Sequence, residues 1–346
     1  MIEVIKDKKT WKSALNEIES HDFYHTYEYH QLAKDNDNQP ILLKYVENDS
    51  HIALPLLIRK INNSSLWDAT SIYGYAGPVS KNIDQNFNNK RFRKELHSFF
   101  KDQGIVSVFS RLNPFVLSQE VCLDQLGEIV FSGKVVNIDI RKKKELQRLE
   151  YQRRLKTHIN KSRRLCTIKK AQSKKEVLDF VEIYYKTMHR VGAHKSYFFN
   201  ENYFFNLLNS KDFETDILLA LDNISKKVIG GVMLVKKSKI VHYHLSGVAT
   251  EHMNKYPIKL LIDEIRTMAS DEGFTYFNLG GGVGGNEDSL FRFKSSFSKD
   301  FKAFKLWKYI VDQDKYEELV KMKNEIKCNT INSECSGYFP CYRCNL

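Results

Sequence analysis

The stretch Phe277-Asn-Leu-Gly-Gly-Gly-Val-Gly-Gly-Asn-Glu-Asp-Ser-Leu-Phe-Arg-Phe-Lys-Ser-Ser-Phe297 decides how the chain is read. It begins inside an apolar run, Phe274-Thr-Tyr-Phe-Asn-Leu279, whose residues predict a short buried strand. Five of the 16 glycines then fall within six residues, among them Gly281, Gly282 and Gly284. Lacking a Cβ, such a loop lets backbone N–H groups approach a ligand closely or turn toward an anion. After it, Asp288 or Ser289 is placed to cap a helix on which Leu290, Phe293 and Phe297 recur at helical spacing and face a core. That register leaves Lys294 beside the core face near the glycines, a cation next to an anion cradle, which is the pattern of a substrate site.

Working outward, 346 residues exceed most single domains, so two are expected, each able to bury a core. A hydrophobic fraction of 42% with 12% aromatics excludes a disordered chain. No apolar run approaches the roughly 18 residues of a membrane span, and Met1-Ile-Glu-Val-Ile-Lys-Asp lacks the apolar stretch of a secretion signal, so a cytoplasmic protein is expected. The net charge of +12 favours anionic partners such as nucleotides, tRNA or anionic membrane lipid. Cys122 and Cys166 stand alone, and Cys328, Cys335, Cys341 and Cys344 lie in the tail. Only Cys341-x-x-Cys344 has ligand spacing, so reduced thiols rather than a metal site are expected.

One pattern occurs twice. In the first half, Ile41–Val46 and Ile52–Arg59 read as a hairpin, Leu66–Ile72 as a strand, Phe92–Phe100 as a helix ended by Gly104, and Ile105–Leu112 as a strand. The second half repeats the order: hairpin Asp216–Leu221 with Val228–Val235, strand Ile240–Val248, helix Ile258–Met268 ended by Gly273, and strand Phe274–Leu279. Lys101-Asp-Gln-Gly104 matches Ser270-Asp-Glu-Gly273 at an offset of 169 residues. The expected class is α/β (α+β), with two copies of one unit and a mixed sheet in each.

Between the copies, Arg141–Arg164 is dominated by basic residues, with Leu146, Leu149, Leu155 and Ile159 keeping a rough helical beat. No acid follows Glu150 until Glu176. That one-sided run reads either as a helix meeting phosphates or as a solvated helix joining the domains. The expected division is an N-terminal domain over 1–140, a basic helical segment over 141–170 and a C-terminal domain over 171–346.

These features resemble the Fem-like branch of the GNAT acyltransferase superfamily, which includes peptidoglycan-bridge aminoacyltransferases and acyltransferases of surface-polysaccharide pathways. The resemblance is carried by the duplicated unit, the basic segment, Tyr185-x-Thr187-x-x-Arg190, the Leu-Gly-Gly-Gly loop and Phe293-Lys-x-x-Phe297. Tyr73-Gly-Tyr-Ala-Gly-Pro78 and Tyr338-Phe-Pro-Cys-Tyr-Arg343 look like signatures of the polysaccharide-associated members. The similarity runs from about Asp22 to Arg343.

The resemblance implies two tandem GNAT-like domains with donor and acceptor meeting at a cleft, Arg190 on acceptor phosphates, and Lys294 at the reacting end. It implies acyl-CoA or aminoacyl-tRNA as donor and a nucleotide- or lipid-linked phosphorylated sugar as acceptor. tRNA and the inner membrane surface stand among the expected partners. This sequence departs from the CoA-binding pattern at Thr250-Glu-His-Met-Asn-Lys-Tyr-Pro-Ile258, which has no glycine and in which Pro257 removes an amide donor.

Attack of an amine or hydroxyl on an ester or thioester needs a proton acceptor and a site for the oxyanion. Lys294 and the amides of Gly280 to Gly285 are candidates for the second, and Glu287 or Asp288 for the first unless they cap the helix. His242 and His244, two apart on one strand, are expected to share a face, as are Tyr73 and Tyr75, which are placed to stack on a sugar or base. The expected function is transfer of an acyl or aminoacyl group to an amino sugar in cell-surface glycan assembly. The alternatives are a tRNA-dependent peptidoglycan-bridge aminoacyltransferase and a non-catalytic binding protein on a degenerate GNAT pair.

Overall fold

The computed structural model describes residues 1–18, 20–327 and 338–344. Two compact units are present, Met1–Ser132 with Phe304–Leu346, and Gly133–Ala303.

In the first unit, β1 (Glu3–Ile5), α1 (Lys8–Asn16) and α2 (Tyr27–Gln31) precede a hairpin of β2 (Asn38–Glu47) and β3 (Ser50–Lys60). Asn38 stands opposite Arg59 and Glu47 opposite Ser50, so Ile41, Leu43 and Tyr45 turn one common face inward. β4 (Trp67–Thr70) and the short β5 (Val79–Lys81) both run antiparallel to β3. α3 (Lys90–Asp102) buries Phe92, Leu96 and Phe100, spaced four apart so that they form one stripe against the sheet. The chain then enters β6 (Ile105–Arg111), parallel to β4, and continues through α4 (Gln119–Leu123) into β7 (Glu128–Asp139).

The second unit holds α5 (Lys144–Leu149), α6 (Arg153–Leu165), β8 (Cys166–Lys170), α7 (Lys174–Arg190) and α8 (Glu201–Leu208). β9 (Glu214–Asp222), β10 (Val228–Lys237) and β11 (Ile240–Val248) follow as an antiparallel meander. α9 (Pro257–Asp271) crosses to β12 (Tyr276–Gly280), which is parallel to β11, and α10 (Ser289–Lys294) follows the glycine loop. Leu260, Leu261, Ile262 and Ile265 of α9 are fully buried, each stabilising the unit by about 1.5–3 kcal/mol. The chain then enters β13 (Asp300–Ile310) and α11 (Gln313–Lys327). Each unit therefore contains a hairpin, a third antiparallel strand, a helix and a strand parallel to the third, as the repeated pattern predicts.

The boundaries differ from the expected 140 and 171. Val136–Asp139 of β7 pair with β12, so the basic segment and the strand before it belong to the second unit. Leu306–Ile310 of β13 pair with β6, which carries 304–346 into the first. The cause is backbone hydrogen bonding: the exposed edge of each parallel strand is satisfied by a strand from the other half of the sequence. Trp307, fully buried, donates its indole N–H to the carbonyl of Leu126, and Tyr342 and Arg343 reach the buried carboxylate of Asp68.

Nor is Arg141–Arg164 one helix. It breaks at Glu150–Gln152, leaving Leu146 and Leu149 51% and 69% exposed while Leu155 and Ile159 are buried. Of the tail cysteines, Cys344 is buried and Cys341 half-buried, whereas Cys328 and Cys335 lie outside the described residues. Among the described residues no helix is long and apolar enough to cross a membrane.

Candidate active site

The site is built by the turn from β12 into α10. Phe277 and Leu279 anchor the strand in the core, and the Asn278 carboxamide oxygen accepts the Gly280 N–H at 2.8 Å. Asp288 then organises the loop: its Oδ1 accepts the Phe291 N–H at 2.9 Å, capping α10, and its Oδ2 accepts the Val283 N–H at 3.1 Å. Gly282 has to be glycine for this, because a Cβ there would lie 2.4 Å from Asp288 Oδ1 and 2.0 Å from the Asn286 carbonyl oxygen. The N–H groups of Gly280, Val283 and Gly285 are spent on internal bonds, so much of the expected amide cradle holds the loop itself.

Lys294 ends α10 and is 7% exposed. Its Nζ donates to the Gly281 carbonyl oxygen at 2.6 Å and lies 5.9 Å from the Tyr243 ring centre. Burial lowers the ammonium to about 8, with the nearby Asp288 charge opposing. Burial likewise pushes the Tyr243 phenol up to about 12, opposed by its bond to Ser246, so it is neutral. Burial works against ionisation of Asp288 too, but the Phe291 and Val283 N–H donors hold it below the usual carboxylate range. Leu290, expected in the core, is 38% exposed, and the buried face of α10 is instead Phe291 with Lys294. Glu287 turns away, pairing at 2.9 Å with the exposed Lys134.

His242 and His244 do not share a face. Leu234 of β10 pairs with Tyr243 and Met233 with Leu245, so His244 is the extra residue of a β-bulge and the alternation breaks there. His242 Nδ1 lies 3.3 Å from the Asn278 carboxamide nitrogen, whereas His244 Nε2 meets the Tyr203 hydroxyl at 2.8 Å. Burial, with His242 second, lowers His244 to about 3 and keeps it neutral.

Arg190 and Thr187 clamp the end of β11. Arg190 Nη1 donates to the Val248 carbonyl and to Thr250 Oγ1, each at 2.9 Å, and the Thr187 hydroxyl accepts the Val248 N–H at 3.0 Å. Tyr73 and Tyr75 belong to the first unit, in a bend around Gly74 rather than on a strand. Tyr73 is 42% exposed and its carbonyl accepts from the Tyr29 hydroxyl, while the Tyr75 ring is held edge-on by Tyr24 and Phe304. Sequence reasoning missed Tyr243, Ser246 and Tyr203. Their only signal was proximity to the paired histidines and the aromatic run at 197–205.

No protein-family model and no curated protein matches the chain by sequence. Solved structures do match it. FemX aligns with a TM-score of 0.71 at 13% identity, over 91% of this chain and 99% of that one. L-PGS from Bacillus licheniformis aligns with a TM-score of 0.58 at 12% identity, over 89% and 93%. The C-terminal domain of a protein assigned as a lysylphosphatidylglycerol synthetase, from Agrobacterium fabrum, gives 0.57 at 13%, over 93% and 98%. The chain therefore shares its fold with FemX and with these two structures.

Proposed function

We propose that this chain is an acyltransferase that moves an acyl or aminoacyl group from an activated ester or thioester to an amine or hydroxyl. The observation that carries the reading is the buried Lys294 ammonium held on the Gly281 carbonyl beside the capped Asp288. A cation desolvated at a strand-loop-helix junction is poised to stabilise negative charge developing on a carbonyl oxygen. As the new bond forms, the acceptor nitrogen or oxygen gives up its proton and the donor's C–S or C–O bond breaks. The departing thiol or hydroxyl carries a proton away. Asp288 has both oxygens engaged by backbone N–H groups and acts as the loop's anchor rather than as the base.

The fold shared with FemX and with a protein named as a lysylphosphatidylglycerol synthetase supports an acyl or aminoacyl donor, either CoA-linked or tRNA-linked. The acceptor proposed is a nucleotide- or lipid-linked phosphorylated amino sugar of cell-surface glycan assembly. The net charge of +12 supports an anionic acceptor. Arg190 is the candidate phosphate contact, because only its Nη1 is engaged among the described residues.

The test is incubation of the protein with labelled acetyl-CoA or aminoacyl-tRNA and a UDP-linked amino sugar, with melting temperature read in parallel. Label should pass to the sugar from one donor, and that donor should raise the melting temperature. Absence of transfer and of any stabilisation with every donor contradicts the reading.

A further inference from the structure

The short helix α5 is inside out. Its buried residue is Gln147, 1% exposed, whose carboxamide nitrogen donates to the carbonyls of Ile140 and Lys142 at 3.3 and 2.7 Å and to Ser270 Oγ at 3.1 Å. Arg148 also turns inward, reaching the buried Asp263 carboxylate at 3.0 Å. Leu146 and Leu149, three residues apart and so on one face, are left in water. An aliphatic pair held there is unfavourable unless something covers it. The polar bonds of Gln147 and Arg148 keep the helix from rolling over to bury the pair itself.

The charges around the leucines indicate what covers them. Arg141 pairs with Asp139 and Lys142 with Glu150, each at 2.6 Å, and Lys144 pairs with Asp271. Lys143 and Arg153 are exposed and Lys156 is half-buried, and among the described residues none of the three meets a carboxylate. Lys143 directly precedes α5, three residues before Leu146. Arg153 and Lys156 share a face of α6, and Lys156 Nζ donates to the Leu149 carbonyl at 3.3 Å, which sets that face beside the exposed leucine. Glu145 is the one acid on α5. An occupant must therefore bring apolar surface and negative charge together. Anionic lipid does so, with phosphates at the level of the cations and acyl chains below them. RNA brings phosphates, but its unpaired bases stack on aromatic rings rather than on leucines.

We propose that α5 and the start of α6 form a docking surface for an anionic lipid bilayer. Leu146 and Leu149 enter the boundary between headgroups and acyl chains, while Lys143, Arg153 and Lys156 lay their stems along it and meet lipid phosphates. The contact is peripheral and reversible, since two leucines and three cations supply far less than a membrane-spanning helix. It does not depend on the acyl-transfer reading and stands if that reading fails.

The test is co-sedimentation of the full chain with vesicles of phosphatidylcholine alone and of phosphatidylcholine mixed with phosphatidylglycerol. Binding should be at least about tenfold tighter to the mixed vesicles and should weaken as salt is raised. Replacing both leucines, Leu146→Ser with Leu149→Ser, should weaken it by about tenfold or more with the melting temperature unchanged. Lys143→Ala with Lys156→Ala should weaken it similarly and reduce its salt dependence. Ile224→Ser, which removes an aliphatic side chain 87% exposed elsewhere in the same unit, should leave binding unchanged. The proposal is overturned if the mixed vesicles do not bind, or if the leucine substitutions leave binding intact. It is equally overturned if a short RNA duplex binds through the lysines while vesicles do not, or if the chain without lipid is a dimer that the leucine substitutions dissolve.

Discussion

Gly104 and Gly273 hold equivalent places in the two units, each ending a helix in the left-handed region, at φ +65° and +76°, before the chain enters the parallel strand. A Cβ at either would meet no atom within 4 Å, so only the backbone conformation resists a side chain. Gly104→Ala and Gly273→Ala should therefore each cost about 1 kcal/mol in urea unfolding. If either substitution were neutral, that position would not need its left-handed turn, and the equivalence of the two units would fail.

Asp263 is 1% exposed and binds three arginines and a tyrosine: Arg148 and Arg163 on Oδ2, Tyr151 and Arg266 on Oδ1, all at 3.0 Å. Its removal would leave partly buried guanidinium groups facing one another. Asp263→Ala should destabilise the protein by about 3–5 kcal/mol and detach α5 and α6 from α9. Chemical denaturation measures this, and a loss below about 1 kcal/mol would mean that solvent satisfies those arginines instead.

Buried neutral histidines set an acid limit. His25 and His30 are fully buried, and burial lowers both, His30 to about 4. Their folded values lie below the unfolded 6.5, so the unfolded chain binds more protons at lower pH. Stability should thus fall as pH drops below 6.5, by up to about 1.4 kcal/mol per pH unit for each group. His30→Gln should flatten that slope in denaturation measured from neutral pH downward, and an unchanged slope would assign acid sensitivity elsewhere.

Much of this architecture was legible because its signals are local. Hairpin alternation, the Phe92–Leu96–Phe100 stripe and the glycines ending both helices specify each repeat from within. What was not legible depends on pairing between distant segments. Nothing near Val136 or Leu306 indicates that β7 joins β12 or that β13 joins β6, and the domain boundaries follow from those pairings. At the site, Asp288 and Lys294 were readable as cap and buried cation. The bulge at His244 was not, since one extra residue in a ladder leaves no mark on apolar alternation. The basic run similarly hid which cations are spent on Asp263 and which are not.

The central claim is that the Lys294 ammonium stabilises the charge formed during transfer, and its most direct test is the single-turnover transfer rate of wild type and Lys294→Ala across pH. Because the ammonium loses its proton near 8, the wild-type rate should fall as pH rises through that value. Lys294→Ala should be slower by about 10²–10³-fold, with that limb absent and the fold retained. A variant that turns over at the wild-type rate, or that keeps the same alkaline limb, would contradict the account.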